Sequence, residues 1–71
     1  MIEIHDYVAV LADINGTPVK RGTTGTVVSK LSDTHYLVEF SDTDGQVYEQ
    51  LPIHRNDLLV LHQITENLEV S

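Results

Sequence analysis

The chain contains no cysteine and no tryptophan, a single phenylalanine, two prolines and only four Lys or Arg among its 71 residues. Without cysteine there are no disulfide staples, no cysteine-based zinc ribbon and no thiol nucleophile, and nothing demands an oxidising compartment. No apolar run approaches the roughly 20 residues of a membrane span. The start, Met1-Ile2-Glu3-Ile4-His5-Asp6, lacks the basic residues and apolar stretch of a secretory leader, so the sequence predicts a cytoplasmic protein with no membrane partner. Positive charge is scarce as well. Lys20, Arg21, Lys30 and Arg55 stand against eleven carboxylates, leaving a formal net charge of −7. Such a surface repels free nucleic acid and suits a protein partner with a basic face, although acidity of this size also serves solubility alone.

Seventy-one residues support one domain with one small core. Apolar burial and chain entropy nearly balance at this size, so stability is expected to be modest unless a homodimer interface or a partner adds burial.

What is present is a succession of short β-rich runs separated by turn signals. Tyr7-Val8-Ala9-Val10-Leu11 places Val8 and Val10 on one face by the period of two. Ala12 to Pro18 contains an Asn-Gly pair and a proline and reads as a mobile surface loop. In Val19-Lys20-Arg21-Gly22-Thr23-Thr24-Gly25-Thr26-Val27-Val28, two glycines three apart precede a β-branched run. Gly22 and Gly25 are read as a turn with positive φ that leads into a second strand, Thr26 to Lys30.

Leu31-Ser32-Asp33-Thr34 closes a hairpin onto His35 to Phe40, where Tyr36, Val38 and Phe40 point inward and Leu37 and Glu39 outward. Asp44-Gly45 is a strong hairpin signal, with Gly45 as its turn residue, and Gln46 to Leu51 returns as the fourth strand. Pro52, which has no N–H to donate, is expected to interrupt the ladder. Ile53 to Asp57 then reads as one helical turn before a fifth strand, Leu58 to Leu61. The sequence thus predicts an all-β chain: a small five-stranded SH3-like barrel over residues 1–62, with one short helical turn before the last strand. An OB-fold is the structural runner-up. Residues 63–71 form a C-terminal tail of scattered apolar residues, read as frayed or as docked on a partner.

Arg21-Gly22-Thr23-Thr24-Gly25-Thr26-Val27-Val28 resembles the glycine-containing lead-in of KOW-type SH3-like barrels. More closely, the order of Asp6-Tyr7-Val8-Ala9-Val10, that glycine stretch, Tyr36-Leu37-Val38-Glu39-Phe40, Asp44-Gly45 and Asn56-Asp57-Leu58 is similar to a bacterial family known as domain of unknown function 4926. This resemblance spans about residues 5 to 61. It implies a compact binding or accessory module and transfers no catalytic residue, and barrels of this shape imply no activity by themselves. The chain departs from nucleic-acid-binding KOW relatives in its charge, since Lys20 and Arg21 are its only adjacent basic residues.

Candidate chemistry is sparse. His5, His35, His54 and His62 are many for this length, yet no pair has the i, i+4 spacing of a helical metal site, and no metal is assigned. Asp42-Thr43-Asp44-Gly45 shares closely spaced carboxylates with a calcium loop but lacks the later ligands, so a hairpin turn explains it. Ser32, Asp33 and His35 are the residue types of a hydrolytic triad, but neighbours in one hairpin do not easily converge. Gly22 to Gly25 lacks the wider spacing and following Lys of a phosphate loop. No catalytic residue and no cofactor are therefore assigned.

The recognition candidates are Leu37 and Tyr48 with the acidic rim of Glu39, Asp42, Asp44 and Glu49. An aromatic ring supplies contact area and carboxylates supply orientation. Asp33 and Tyr7 are further members of this set, although Tyr7 and Tyr48 serve equally well as residues that finish the core. The expected function is a non-enzymatic protein-binding module, in its most concrete form an antitoxin or immunity-type inhibitor. The alternatives are a KOW-like accessory of transcription or translation, using Lys20, Arg21 and Lys30, and a structural subunit of a larger enzyme complex.

Overall fold

The computed structural model describes residues 2–61. Within them the chain forms five strands, β1 (Tyr7–Val10), β2 (Thr24–Lys30), β3 (His35–Ser41), β4 (Val47–His54) and β5 (Leu58–Val60), with a single 3-10 turn, Arg55–Asp57, between β4 and β5. All pairings are antiparallel, and the sheet order is β4-β3-β2-β1-β5. The first four strands meander through adjacent hairpins and connections, while β5 returns to lie beside β1, pairing Val8 with Val60 and Val10 with Leu58. The expected all-β class, the five strands and the short turn before the last strand are all present. No helix among the described residues is long and apolar enough to cross a membrane.

The period of two decides which residues form the core. Val8 and Val10 from β1, Val27 from β2, Tyr36, Val38 and Phe40 from β3, Ile53 from β4 and Leu58 from β5 are all buried, and Val19 joins them from the connection between β1 and β2. Ile2, Ile14, Leu51 and Val60 pack against this cluster. Tyr7 and Tyr48 do not finish it: both are exposed on the other side.

The long connection from β1 to β2 runs over the surface as its composition suggests, with Asp13, Asn15, Gly16 and Pro18 exposed, and hydrogen bonds tie it together. The Ile14 N–H donates to the Val19 carbonyl at 3.0 Å, Thr17 Oγ1 donates to the Ile14 carbonyl at 2.9 Å, and the Arg21 N–H donates to Asp13 Oδ1 at 2.8 Å. These bonds fold the segment back on itself and deliver Val19 into the core. Its burial depends on contacts with distant strands, which no local turn signal reports.

The two glycines of the lead-in have different roles. Gly22 has φ +92° and its N–H donates to the Val10 carbonyl at 2.7 Å, so it is the turn residue expected. Gly25 is not part of a turn. It lies within β2 opposite Val8, without a positive φ, and a Cβ there would stand 2.8 Å from the Glu39 carbonyl oxygen and 2.9 Å from side-chain carbons of Val38 and Phe40. Close packing of β2 on β3 requires glycine at that position, and β2 begins at Thr24 rather than Thr26.

Pro52 does not interrupt the ladder either. β4 runs from Val47 through Pro52 to His54, and Pro52 sits opposite Leu37. The Arg55 N–H donates to the Thr34 carbonyl, so antiparallel alternation makes Tyr36/Ile53 and Val38/Leu51 the hydrogen-bonded pairs. Pro52 falls between them, where a backbone N–H would point away from β3, and among the described residues β4 is an edge strand with no neighbour on that side. The helical turn is correspondingly shorter than expected and excludes Ile53 and His54.

Two irregularities adjust the register. A bulge in β2 between Val27 and Ser29 puts Lys30, not Ser29, across from Tyr36, and a second between Phe40 and Ser41 leaves Tyr48 as the extra residue of β4. The tail expected over 63–71 and the end of the barrel at residue 62 lie outside the described residues.

Candidate functional site

The β3–β4 hairpin carries most of the residues expected to recognise a partner. Leu37 and Glu39 occupy the face of β3 opposite the core and are half-buried there. Gln50 Nε2 reaches Glu39 Oε2 at 3.5 Å from the neighbouring strand. Tyr48 stands exposed at the β4 bulge, next to Val47, which is exposed as well. Asp44 is exposed at the hairpin tip.

Asp42 is committed to the turn itself. Its Oδ1 accepts from the Asp44 N–H at 2.9 Å and the Gln46 N–H at 3.0 Å, while the Gly45 N–H donates to its carbonyl. Gly45, with φ +83°, is the turn residue expected. Glu49 departs from the expected exposed rim: it pairs with Phe40 on the core face of the sheet and is only half-exposed. Glu49 alternates with Leu51 and Ile53 on that face, and the bulge at Tyr48 comes only beyond it, towards the hairpin tip. The hairpin has one sign of charge throughout, since the sequence contains no Lys or Arg between Lys30 and Arg55.

At the other end of the same hairpin lies a cavity of about 700 Å³ lined by Ile2, Lys30, Asp33, Tyr36, Arg55, Asn56 and Leu58. The β2 bulge supplies Lys30, the turn after it Asp33, and the 3-10 turn Arg55 and Asn56. Lys30 Nζ is 3.8 Å from Asp33 Oδ1, an exposed and loosely held pair. The Arg55 guanidinium donates through Nη1 to the Asp33 carbonyl at 3.3 Å. Sequence reading missed this grouping. It placed Lys30 with Lys20 and Arg21, whereas tertiary structure places Lys30 with Arg55, 25 positions along the chain. The available signal was the hairpin register, which sets the residue after β4 beside the turn before β3.

The remaining candidates are accounted for by local structure. Ser32 Oγ accepts from the Thr34 N–H at 3.2 Å and the His35 N–H at 3.1 Å. His35 Nδ1 is 2.8 Å from Thr34 Oγ1, and Asp33 faces Lys30, so Ser32, Asp33 and His35 form a turn and not a nucleophile–base–carboxylate chain. His35 and His54 lie directly across the ladder, but no three His, Asp or Glu among the described residues converge as metal ligands.

The family model described as Domain of unknown function (DUF4926) matches residues 4–60. The chain belongs to this family. The matched segment starts just before β1 and ends at the last residue of β5, so the DUF4926 domain is the whole five-stranded unit and includes both the acidic hairpin and most of the cavity wall. No curated protein and no solved structure matches the chain.

Proposed function

We propose that this DUF4926 domain is an SH3-like, non-enzymatic module of the bacterial cytoplasm that binds a protein with a basic surface, in the manner of an antitoxin or immunity-type inhibitor. The observation that carries the reading is the β3–β4 hairpin. Tyr48 and Val47 are exposed on an edge strand of the described sheet, Glu39 lies on the neighbouring strand and Asp44 at the hairpin tip, and the hairpin itself contains no Lys or Arg. Exposed apolar groups supply contact area, and charge of one sign raises the encounter rate and fixes orientation against an oppositely charged face. The strand order with β5 returning beside β1, and the 3-10 turn between β4 and β5, support the SH3-like assignment.

The test is capture on the tagged full chain from its own cell lysate, at low and moderate salt and with nuclease treatment. One stoichiometric basic protein, released as salt rises and lost with Tyr48→Ala or with Glu39→Lys plus Asp44→Lys, is the expected result. Recovery of nuclease-sensitive ribosomal or polymerase components would replace this reading with that of an accessory to transcription or translation. Capture that the hairpin substitutions leave intact would move the interface elsewhere.

A further inference from the structure

The cavity at the base of the hairpin has a chemistry opposite to the rest of the molecule. In a chain of net charge −7, it gathers two of the four Lys and Arg residues. Lys30 offers three donors and Arg55 five. Among the described residues they make one long ion pair and one hydrogen bond to the Asp33 carbonyl, which leaves most of that capacity open.

Tyr36 adds to the donor wall. It is only 6% exposed, its hydroxyl has no hydrogen-bond partner among the described residues, and no buried polar side-chain atom there is left unpartnered. Its side chain lines the cavity. The Asn56 amide adds two more donors beside its own acceptor oxygen, and Asp33 is the one carboxylate in the lining. Behind them, Ile2, Leu58 and the Tyr36 ring make an apolar floor. A volume of about 700 Å³ is in the range of small-molecule sites, which combine an apolar body with a few convergent polar groups.

We propose that this cavity binds an organic carboxylate with an apolar body, its carboxylate held by Arg55 and Lys30 and its body lying over Ile2, Leu58 and the Tyr36 ring. Planar guanidinium matches a carboxylate in a two-point fork, and charge-assisted hydrogen bonds are roughly twice as strong as neutral ones. Asp33 is the internal competitor. Its side chain is 97% exposed and its carboxylate takes the Lys30 ammonium at 3.8 Å, so an incoming carboxylate displaces a weak contact and leaves the Asp33 carboxylate in water. The site is separate from the acidic hairpin surface and does not depend on the protein-binding reading.

The test titrates the full chain with octanoate, octanamide and acetate, following backbone amide shifts over residues 30–36 and 55–58. Octanoate is expected to shift these amides saturably, octanamide and acetate far more weakly. Lys30→Gln and Arg55→Gln each weaken octanoate binding about tenfold, the loss expected for one charge-assisted contact. Asp33→Asn strengthens binding, a gain that a merely destabilised fold would not produce. Lys20→Gln leaves binding unchanged. The proposal is overturned if octanoate produces no saturable shift at these amides, if octanamide or acetate matches it, or if Asp33→Asn weakens binding.

Discussion

His35 and His54 face each other across the β3–β4 ladder with ring centroids 5.1 Å apart and planes at 75°, an edge-to-face pair that ends the hairpin. The ring of His54 also works along the chain: its Nδ1 accepts the Asn56 N–H at 3.0 Å and caps the 3-10 turn. One side chain thus joins the register of the hairpin to the turn that carries Arg55 and Asn56 into the cavity.

His54→Ala removes that acceptor and leaves the Asn56 N–H without its cap. A lost cap costs about 1 kcal/mol, and His54→Asn, whose amide oxygen can accept in the same place, should recover part of it. Urea denaturation of the three proteins measures both, and equal stability for all three would show that the cap contributes nothing.

Gly25→Ala should be the most damaging glycine substitution. Its Cβ meets the Glu39 carbonyl oxygen at 2.8 Å, and backbone in a paired strand does not yield as a flexible side chain would. Overpacking of this kind costs about 1–3 kcal/mol, a large share of the stability of so small a domain. Gly45→Ala meets open space and carries only the conformational cost of φ +83°, about 1 kcal/mol. Thermal melts should rank Gly25→Ala below Gly45→Ala.

Val19→Ala should destabilise although its position lies outside every strand. Val19 is fully buried, and losing two methyl groups from a packed interior costs about 2 kcal/mol. The exposed neighbour substitution Lys20→Ala should stay within about 0.5 kcal/mol. Comparable losses from both would show that the connection is not a wall of the core.

Pro52→Thr restores an N–H on the outer side of β4. Because no strand among the described residues pairs with that side, folding stability should change little, whereas the edge becomes a better template for pairing with a second chain. Light scattering at rising concentration should show more self-association for the variant, and identical behaviour would mean the proline does not protect the edge.

His5 holds φ 78°, the left-handed region that side chains seldom occupy, while its N–H bonds the Val27 carbonyl. Relieving that strain with His5→Gly offsets the entropy glycine adds to the unfolded chain, so stability should change by less than about 1 kcal/mol, whereas His5→Val should destabilise clearly. The difference between their denaturation midpoints checks this.

The strands and their inward faces were legible because a period of two and a turn residue's φ are local properties. Val8, Val10, Tyr36, Val38 and Phe40 face the core as their alternation requires, and Gly22 and Gly45 occupy the positive-φ turns their sequences suggest. Leu37 and Glu39 lie outside the core for the same reason. What tertiary structure alone decided is what depends on which residue stands opposite which. The tight contact at Gly25, the tolerance of Pro52 on an edge of the described sheet and the meeting of Lys30 with Arg55 all follow from non-local register, and two bulges shift that register by one residue each. A one-residue shift turns every following side chain to the other face, and no local preference in the sequence encodes where the shift occurs.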